Sequence, residues 1–179
     1  VTGYELRLWR SGQYSSRSIR SGHWRQEDAA EQLGVAFRTY CYYEKNGPSH
    51  VVILGTQTLS LQIMLPELEK LSLPHVMTRL NLLVGDPDIV PAKFSKSDIQ
   101  MPSTGLKSWR KSLGWTQKQV SETLGVCLRT YKSYEQNTPR TVMLAIQAIT
   151  LLVILPRLAQ CRREVLFQKL RAIVAADSF

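Results

Sequence analysis

The chain is 179 residues long and carries 23 Lys and Arg against 14 Asp and Glu, a formal net charge of +9, with three cysteines. That length holds two small domains and is short for three. Cys41, Cys127 and Cys161 lie far apart with no C-x-x-C spacing and no clustered histidines, which speaks against both a zinc site and a disulfide framework.

In chain order, residues 5–10 (ELRLWR) are expected to form a first helix with Trp9 turned into a core. A Ser-, Gly- and Arg-rich stretch over 11–23 reads as an exposed insertion, either a basic arm touching phosphates through Arg17 and Arg20 or a tolerated surface loop. Trp24–Asn46 (WRQEDAAEQLGVAFRTYCYYEKN) divides into two short helices around Leu33-Gly34-Val35, where the glycine can take the left-handed conformation that ends a helix. Pro48 then precedes an apolar helix over 51–65, which Pro66 is expected to end. Residues 84–104, with three prolines and several Ser and Asp, read as a semi-rigid linker.

The second half repeats the first. Trp115–Asn137 (WTQKQVSETLGVCLRTYKSYEQN) matches Trp24–Asn46 without a gap at 12 of 23 positions. Residues 106–110 repeat the first helix, Pro139 repeats Pro48, the apolar run 142–155 repeats 51–65, and Pro156 repeats Pro66. That run falls short of the roughly 20 residues needed to cross a bilayer, so it reads as a core helix and no membrane is expected as a partner. No signal peptide pattern opens the chain, and a cytoplasmic location is expected. The tail after Pro156 carries a broad apolar stripe with no equally long counterpart seen in the first half. Its expected cover is its own domain, the first domain, or a second copy of the chain in a homodimer.

Within each repeated unit, helical spacing turns Ala29, Ala30 and Leu33 (Val120, Ser121, Leu124) inward before the turn, and Val35, Tyr40 and Tyr43 (Val126, Tyr131, Tyr134) inward after it. Phe37, Arg38, Cys41 and Tyr42, and in the second copy Leu128, Arg129, Lys132 and Ser133, fall on the opposite stripe. A solvent-facing helix with Arg, Lys, Ser and Tyr is what reading base edges in a major groove requires. Arg38 and Arg129 are the candidates for bidentate contact with guanine. Lys45, Asn46, Asn137 and Arg140 are expected to flank the groove on the DNA backbone. Charge agrees: residues 1–70 hold 8 basic and 7 acidic side chains, residues 71–179 hold 15 and 7, and such an excess favours a polyanion.

Both copies resemble the helix-turn-helix domain of the Cro and lambda-repressor family through Thr116-Gln117, Leu124-Gly125-Val126 and Tyr134-Glu135, and through their equivalents in the first copy. The resemblance implies an all-α fold of two lambda-repressor-like bundles in tandem, residues 1–83 and 105–179 joined by 84–104. It also implies double-stranded DNA as partner, Gln26 and Gln117 on phosphate, and buried ion pairs of Arg10 with Glu44 and Arg110 with Glu135. Tandem units of this kind resemble regulators of phages and other mobile elements, which points to a repressor. Ala36 and Cys127 stand where relatives carry a capping Ser or Thr, so each of those helix starts is expected to be weaker by about 1 kcal/mol. A thiolate is favoured at the helix start that Cys127 occupies, yet a small residue explains the position as well as a redox sensor does.

No paired-carboxylate site, nucleophile motif or phosphate-binding glycine loop is evident in the sequence, and no catalytic pattern surrounds His23, His50 or His75. An enzyme is therefore the weakest reading, and no cofactor, metal or small molecule is expected. The competing reading is a protein-interaction regulator whose first unit has lost DNA binding, since its outward stripe holds a single cation, Arg38.

Overall fold

A computed structural model describes residues 1–13, 22–85 and 105–175. Arg17 and Arg20 of the insertion, the linker reading over 86–104, and the last four residues lie outside the described residues. Ten α-helices and no strand are found among the described residues. The first half holds α1 (Gly3–Ser11), α2 (Gln26–Leu33), α3 (Phe37–Asn46), α4 (His50–Leu68) and α5 (Leu73–Val84). The second holds α6 (Leu106–Ser112), α7 (Gln117–Leu124), α8 (Leu128–Gln136), α9 (Arg140–Leu158) and α10 (Arg163–Val174).

Local chemistry explains the boundaries. Thr2 and Glu5 form a capping box at the start of α1, and Thr116 and Gln119 form another at α7, each satisfying backbone donors that a helix start leaves open. Gly34 and Gly125 both sit at φ +67°, and the next residue's N–H closes the turn, Val35 onto Ala30 O and Val126 onto Ser121 O. The ends of the insertion are tied where Trp24 N–H donates to Gln13 O at 3.1 Å.

Three expectations change. Pro66 and Pro156 do not end the apolar helices; each lies inside the last turn, and α4 and α9 continue to Leu68 and Leu158. Each proline leaves the carbonyl four residues earlier, that of Gln62 or Leu152, without its ladder donor, and the helix runs on for two more residues. The C-terminal helix also has a counterpart of its own length, since α5 and α10 both span 12 residues. Its buried residues Leu166, Phe167, Leu170 and Ile173 are covered inside the chain by α4, α5 and α9, which removes the reason for expecting a second copy there.

The halves also share their core. Cluster by cluster, Leu6, Leu33, Tyr40 and Leu59 of the first half enclose Leu144 of α9, while Trp109, Leu124 and Tyr131 of the second enclose Val51 and Leu54 of α4. A third cluster is built jointly from the C-terminal parts of α4 and α9 with α5 and α10. The crossing is close because Gly55 replaces bulk with backbone: a Cβ there would stand 3.2 Å from Leu33 and 3.6 Å from Leu144. By length and composition α4 and α9 are apolar enough to cross a membrane, but 50% and 83% of their most apolar windows are buried inside the chain. The two polar interruptions of α9 are both buried. Thr150 accepts the Trp109 indole N–H at 2.8 Å, whereas the Gln147 amide has no hydrogen-bond partner among the described residues.

Candidate nucleic-acid interface

In each half a glutamate near the end of the second paired helix, buried at Glu44 and half-buried at Glu135, ties three elements together. Glu44 of α3 accepts Arg10 Nε at 2.6 Å and Gln26 Nε2 at 2.7 Å, and Glu135 of α8 accepts Arg110 Nε and Gln117 Nε2, each at 2.7 Å. The same arginines reach the loop before α2 or α7, donating to Trp24 O at 2.8 Å and Trp115 O at 3.0 Å. Tyr131 OH adds a third donor to Glu135 at 3.0 Å. The side chains of Glu44 and Glu135 are 2% and 8% exposed, so these are desolvated, charge-assisted bonds. Burial alone would raise both carboxyls; the hydrogen bonds from Arg10 and Gln26, and from Arg110, Gln117 and Tyr131, outweigh it and hold them below the usual value. Burial first, then the neighbouring glutamate, pushes the Tyr40 and Tyr131 hydroxyls up. The ion pairs implied by the family resemblance are thus found at both places.

The clamp also engages Gln26 and Gln117. Each donates one Nε2 hydrogen to its glutamate, and the Gln26 carbonyl accepts the Cys41 thiol at 3.5 Å. An amide nitrogen carries two N–H donors, so the bond that positions the following helix leaves the other for an approaching phosphate.

The outward stripes stand free of the core. Phe37, Arg38 and Tyr42 are exposed on α3, with Phe37 at 46% and Tyr42 at 61%; Cys41 is half-buried. On α8, Leu128, Arg129, Lys132 and Ser133 are all exposed. Lys45 and Asn137 are exposed where α3 and α8 end. Ala36 and Cys127 supply no side-chain cap, as their chemistry requires. The Cys127 sulfur lies 3.1 Å from the Thr130 hydroxyl, whose hydrogen bond lowers the thiol pKa.

Arg140 makes a contact that its expected role did not include. Although exposed, it starts α9 and its Nε donates to Gln32 O at 2.9 Å, while Thr141 Oγ1 donates to Leu33 O at 2.7 Å. Together they cap the last carbonyls of α2 from the other half, satisfying acceptors that a helix end leaves open. Sequence reasoning missed this bridge, and it also missed Arg7, whose Nε lies 3.7 Å from Glu44 Oε2. The only signal for Arg7 was its place on the face of α1 that carries Arg10.

The geometry between halves is reciprocal. A Cβ on Gly34 would stand 2.6 Å from Arg140 Cβ, and one on Gly125 would stand 3.0 Å from His50 Cβ. Gly34 and Gly125 occupy the same turn of the repeat, and Arg140 and His50 each open the long apolar helix. Position i of one half meets j of the other and j meets i, the signature of a two-fold contact. Among the described residues no group of His, Cys, Asp or Glu could hold a metal ion. No family model, curated protein or solved structure matches the chain.

Proposed function

We propose that this chain is a sequence-specific double-stranded DNA-binding regulator of transcription, a repressor that reads an imperfect inverted repeat with α3 and α8 in successive major grooves. The observation that carries the reading is the pair of exposed helices, each with an outward arginine, held by the same buried Arg–Glu–Gln clamp and joined through a reciprocal core. A helix that reads bases must present its side chains at fixed orientation, and the clamp secures the end of α3 and α8 to the two helices before it.

Arg38 and Arg129, near the starts of the two helices, suit bidentate contact with guanine. Lys132 and Ser133 follow one turn later on α8, where α3 carries Cys41 and Tyr42. Lys45 and Asn137, at the helix ends, suit phosphate. Occupying a promoter in this way would exclude polymerase. Selection of bound fragments from random duplex DNA, followed by footprinting with the full chain, tests the reading. A single enriched motif with two protected half-sites supports it, and recovery of unenriched DNA with no footprint overturns it.

A second reading, that the first half contacts a protein instead, is favoured by the exposed aromatic pair Phe37 and Tyr42. Phe37→Ala/Tyr42→Ala in the full chain separates the two: under the DNA reading the footprint over one of two half-sites weakens, whereas under the protein reading only the α8 half-site is protected and the double variant leaves it unchanged.

A further inference from the structure

Compared across the repeat, most exposed apolar side chains of one half are lost in the other. Leu8 becomes Ser108, Tyr42 becomes Ser133, Leu82 becomes Ala172, and the exposed Ile63 becomes the buried Val153. Among the described residues, Phe37 and Leu128 are the pair that both halves keep in water, at 46% and 39% exposure. Each is the first residue of its helix, α3 or α8, and each is followed by an exposed arginine, Arg38 or Arg129. Neither belongs to any of the three apolar cores.

We infer that Phe37 and Leu128 each cover the 5-methyl group of a pyrimidine in the major groove, thymine or 5-methylcytosine, beside the guanine suited to Arg38 or Arg129. The inference rests on the DNA reading and says what the two unequal half-sites have in common. In a helix-turn-helix the first residues of the reading helix stand against the base edges. A phenyl or isobutyl group has no donor or acceptor to offer there, and the C5-methyl is the apolar feature that a major groove presents.

An apolar groove on a protein is the poorer occupant. Leu128 stands beside Arg129 and near Lys132 one turn on, both exposed, and an apolar surface closing over it would strip water from those cations without replacing it. A duplex meets both needs at once, with a methyl for the apolar side chain and base acceptors and phosphates for the cations. The same holds on α3, where Phe37 adjoins Arg38 and Lys45 lies exposed at the far end of the helix.

The test uses the full chain and the tightest duplex recovered by selection from random DNA. Resynthesised with deoxyuridine for thymidine in one half-site at a time, that duplex keeps every hydrogen-bonding group and loses only methyls. Gel-shift affinity should fall about fourfold for each methyl that a side chain covers, the effect of burying one such group. Where the selected base is a cytosine, 5-methylation should raise affinity by the same factor, which separates the two sources. Phe37→Ala should remove the methyl effect in its own half-site and keep it in the other, and Leu128→Ala should do the reverse. Both positions are exposed, so helical circular dichroism should be kept. A methyl effect in neither half-site, in one half-site alone, or equally strong in both variants would overturn the inference while the bound duplex leaves the DNA reading standing. Failure to enrich any duplex would overturn both. Should a variant lose its helical signal, the comparison of the two half-sites with the unaltered chain still decides.

Discussion

Leu144, one turn into α9, is buried in the core of the first half, and Leu54, at the same place in α4, is buried in the core of the second. Each half thus supplies the other with a side chain it cannot replace. Cutting the chain between the halves would leave both cores open, so the full chain is expected to unfold in one cooperative transition. Leu144→Ala should cost about 2–5 kcal/mol, the range for emptying a well-packed leucine site. Denaturant unfolding followed separately by Trp9/Trp24 and Trp109/Trp115 fluorescence, in single-half tryptophan variants, checks this. Non-coincident transitions would show that the halves are independent.

Three glycines separate backbone strain from crowding. Gly34, Gly114 and Gly125 have φ of +67°, +71° and +67°, a conformation that costs an L-residue about 1–2 kcal/mol. Around Gly114 a new Cβ meets nothing within 4 Å; at Gly125 it would stand 3.0 Å from His50, and at Gly34 2.6 Å from Arg140. Substitution by alanine should therefore destabilise in the order Gly34, Gly125, Gly114, with the last reporting strain alone. Equal losses at all three would mean that the halves separate readily at these contacts.

Acid should loosen the chain in two windows. Burial, with a small push from the N-terminal amine, lowers the His50 pKa, so between its ordinary 6.5 and the lowered folded value the unfolded chain binds the extra proton and stability falls as pH falls. Glu44 and Glu135 are also lowered in the folded state, so their contribution is complete above 4.5 and is lost as pH falls through their folded values. Urea midpoints measured from pH 8 to 3 should show both declines. His50→Gln should flatten the upper one, and Glu135→Gln should reduce the lower one while weakening the protein at neutral pH, because the half-buried Arg110 loses its charge partner. A wild-type profile flat to pH 4 in the upper window would contradict the placement of His50.

What was legible in the sequence follows from how local each feature is. The paired short helices, the inward Tyr40 and Tyr131, and the outward Arg38 and Arg129 come from spacing within a dozen residues, and periodicity carries that information directly. The clamp at Glu44 and Glu135 joins residues far apart in the chain and was accessible only through the family resemblance. The placement of Gln26 and Gln117 on those glutamates was hidden, because an amide at a helix start fits a phosphate and a carboxylate equally well. A helix after Pro66 was expected, but its start at Leu73 and its length equal to that of α10 were not read, since LPHVMTRLNLLV carries few charges and it is Pro74, not Pro66, that occupies its first turn. The shared core was out of reach altogether: an apolar helix reads the same whether it packs on its own unit or on a second one.

Fixed coupling of the halves sets what DNA the proposed reading allows. Separate units on a loose tether would tolerate changes in half-site spacing, but here α4 and α9 share one core and Arg140 and Thr141 cap α2 across the seam. Inserting two base pairs between half-sites rotates one by about a fifth of a turn and moves it by roughly 7 Å, beyond what a packed core follows. Affinity should therefore drop to that of one half-site. Under that reading the halves should contribute unequally, since α8 exposes Arg129, Lys132 and Ser133 where α3 exposes Arg38 with Phe37 and Tyr42. Arg129→Ala should cost about 1–3 kcal/mol and relax preference at one base pair in the stronger half, and Arg38→Ala should do the same in the weaker. Replacing Lys132 should lower the slope of log affinity against log salt if it meets phosphate, by about 0.9. Gel shifts on a spacing series, repeated with these three variants, read all of this out. Affinity unchanged by the two-base-pair insertion would defeat the coupled reading, and an unchanged base preference in both arginine variants would remove α3 and α8 as the reading helices.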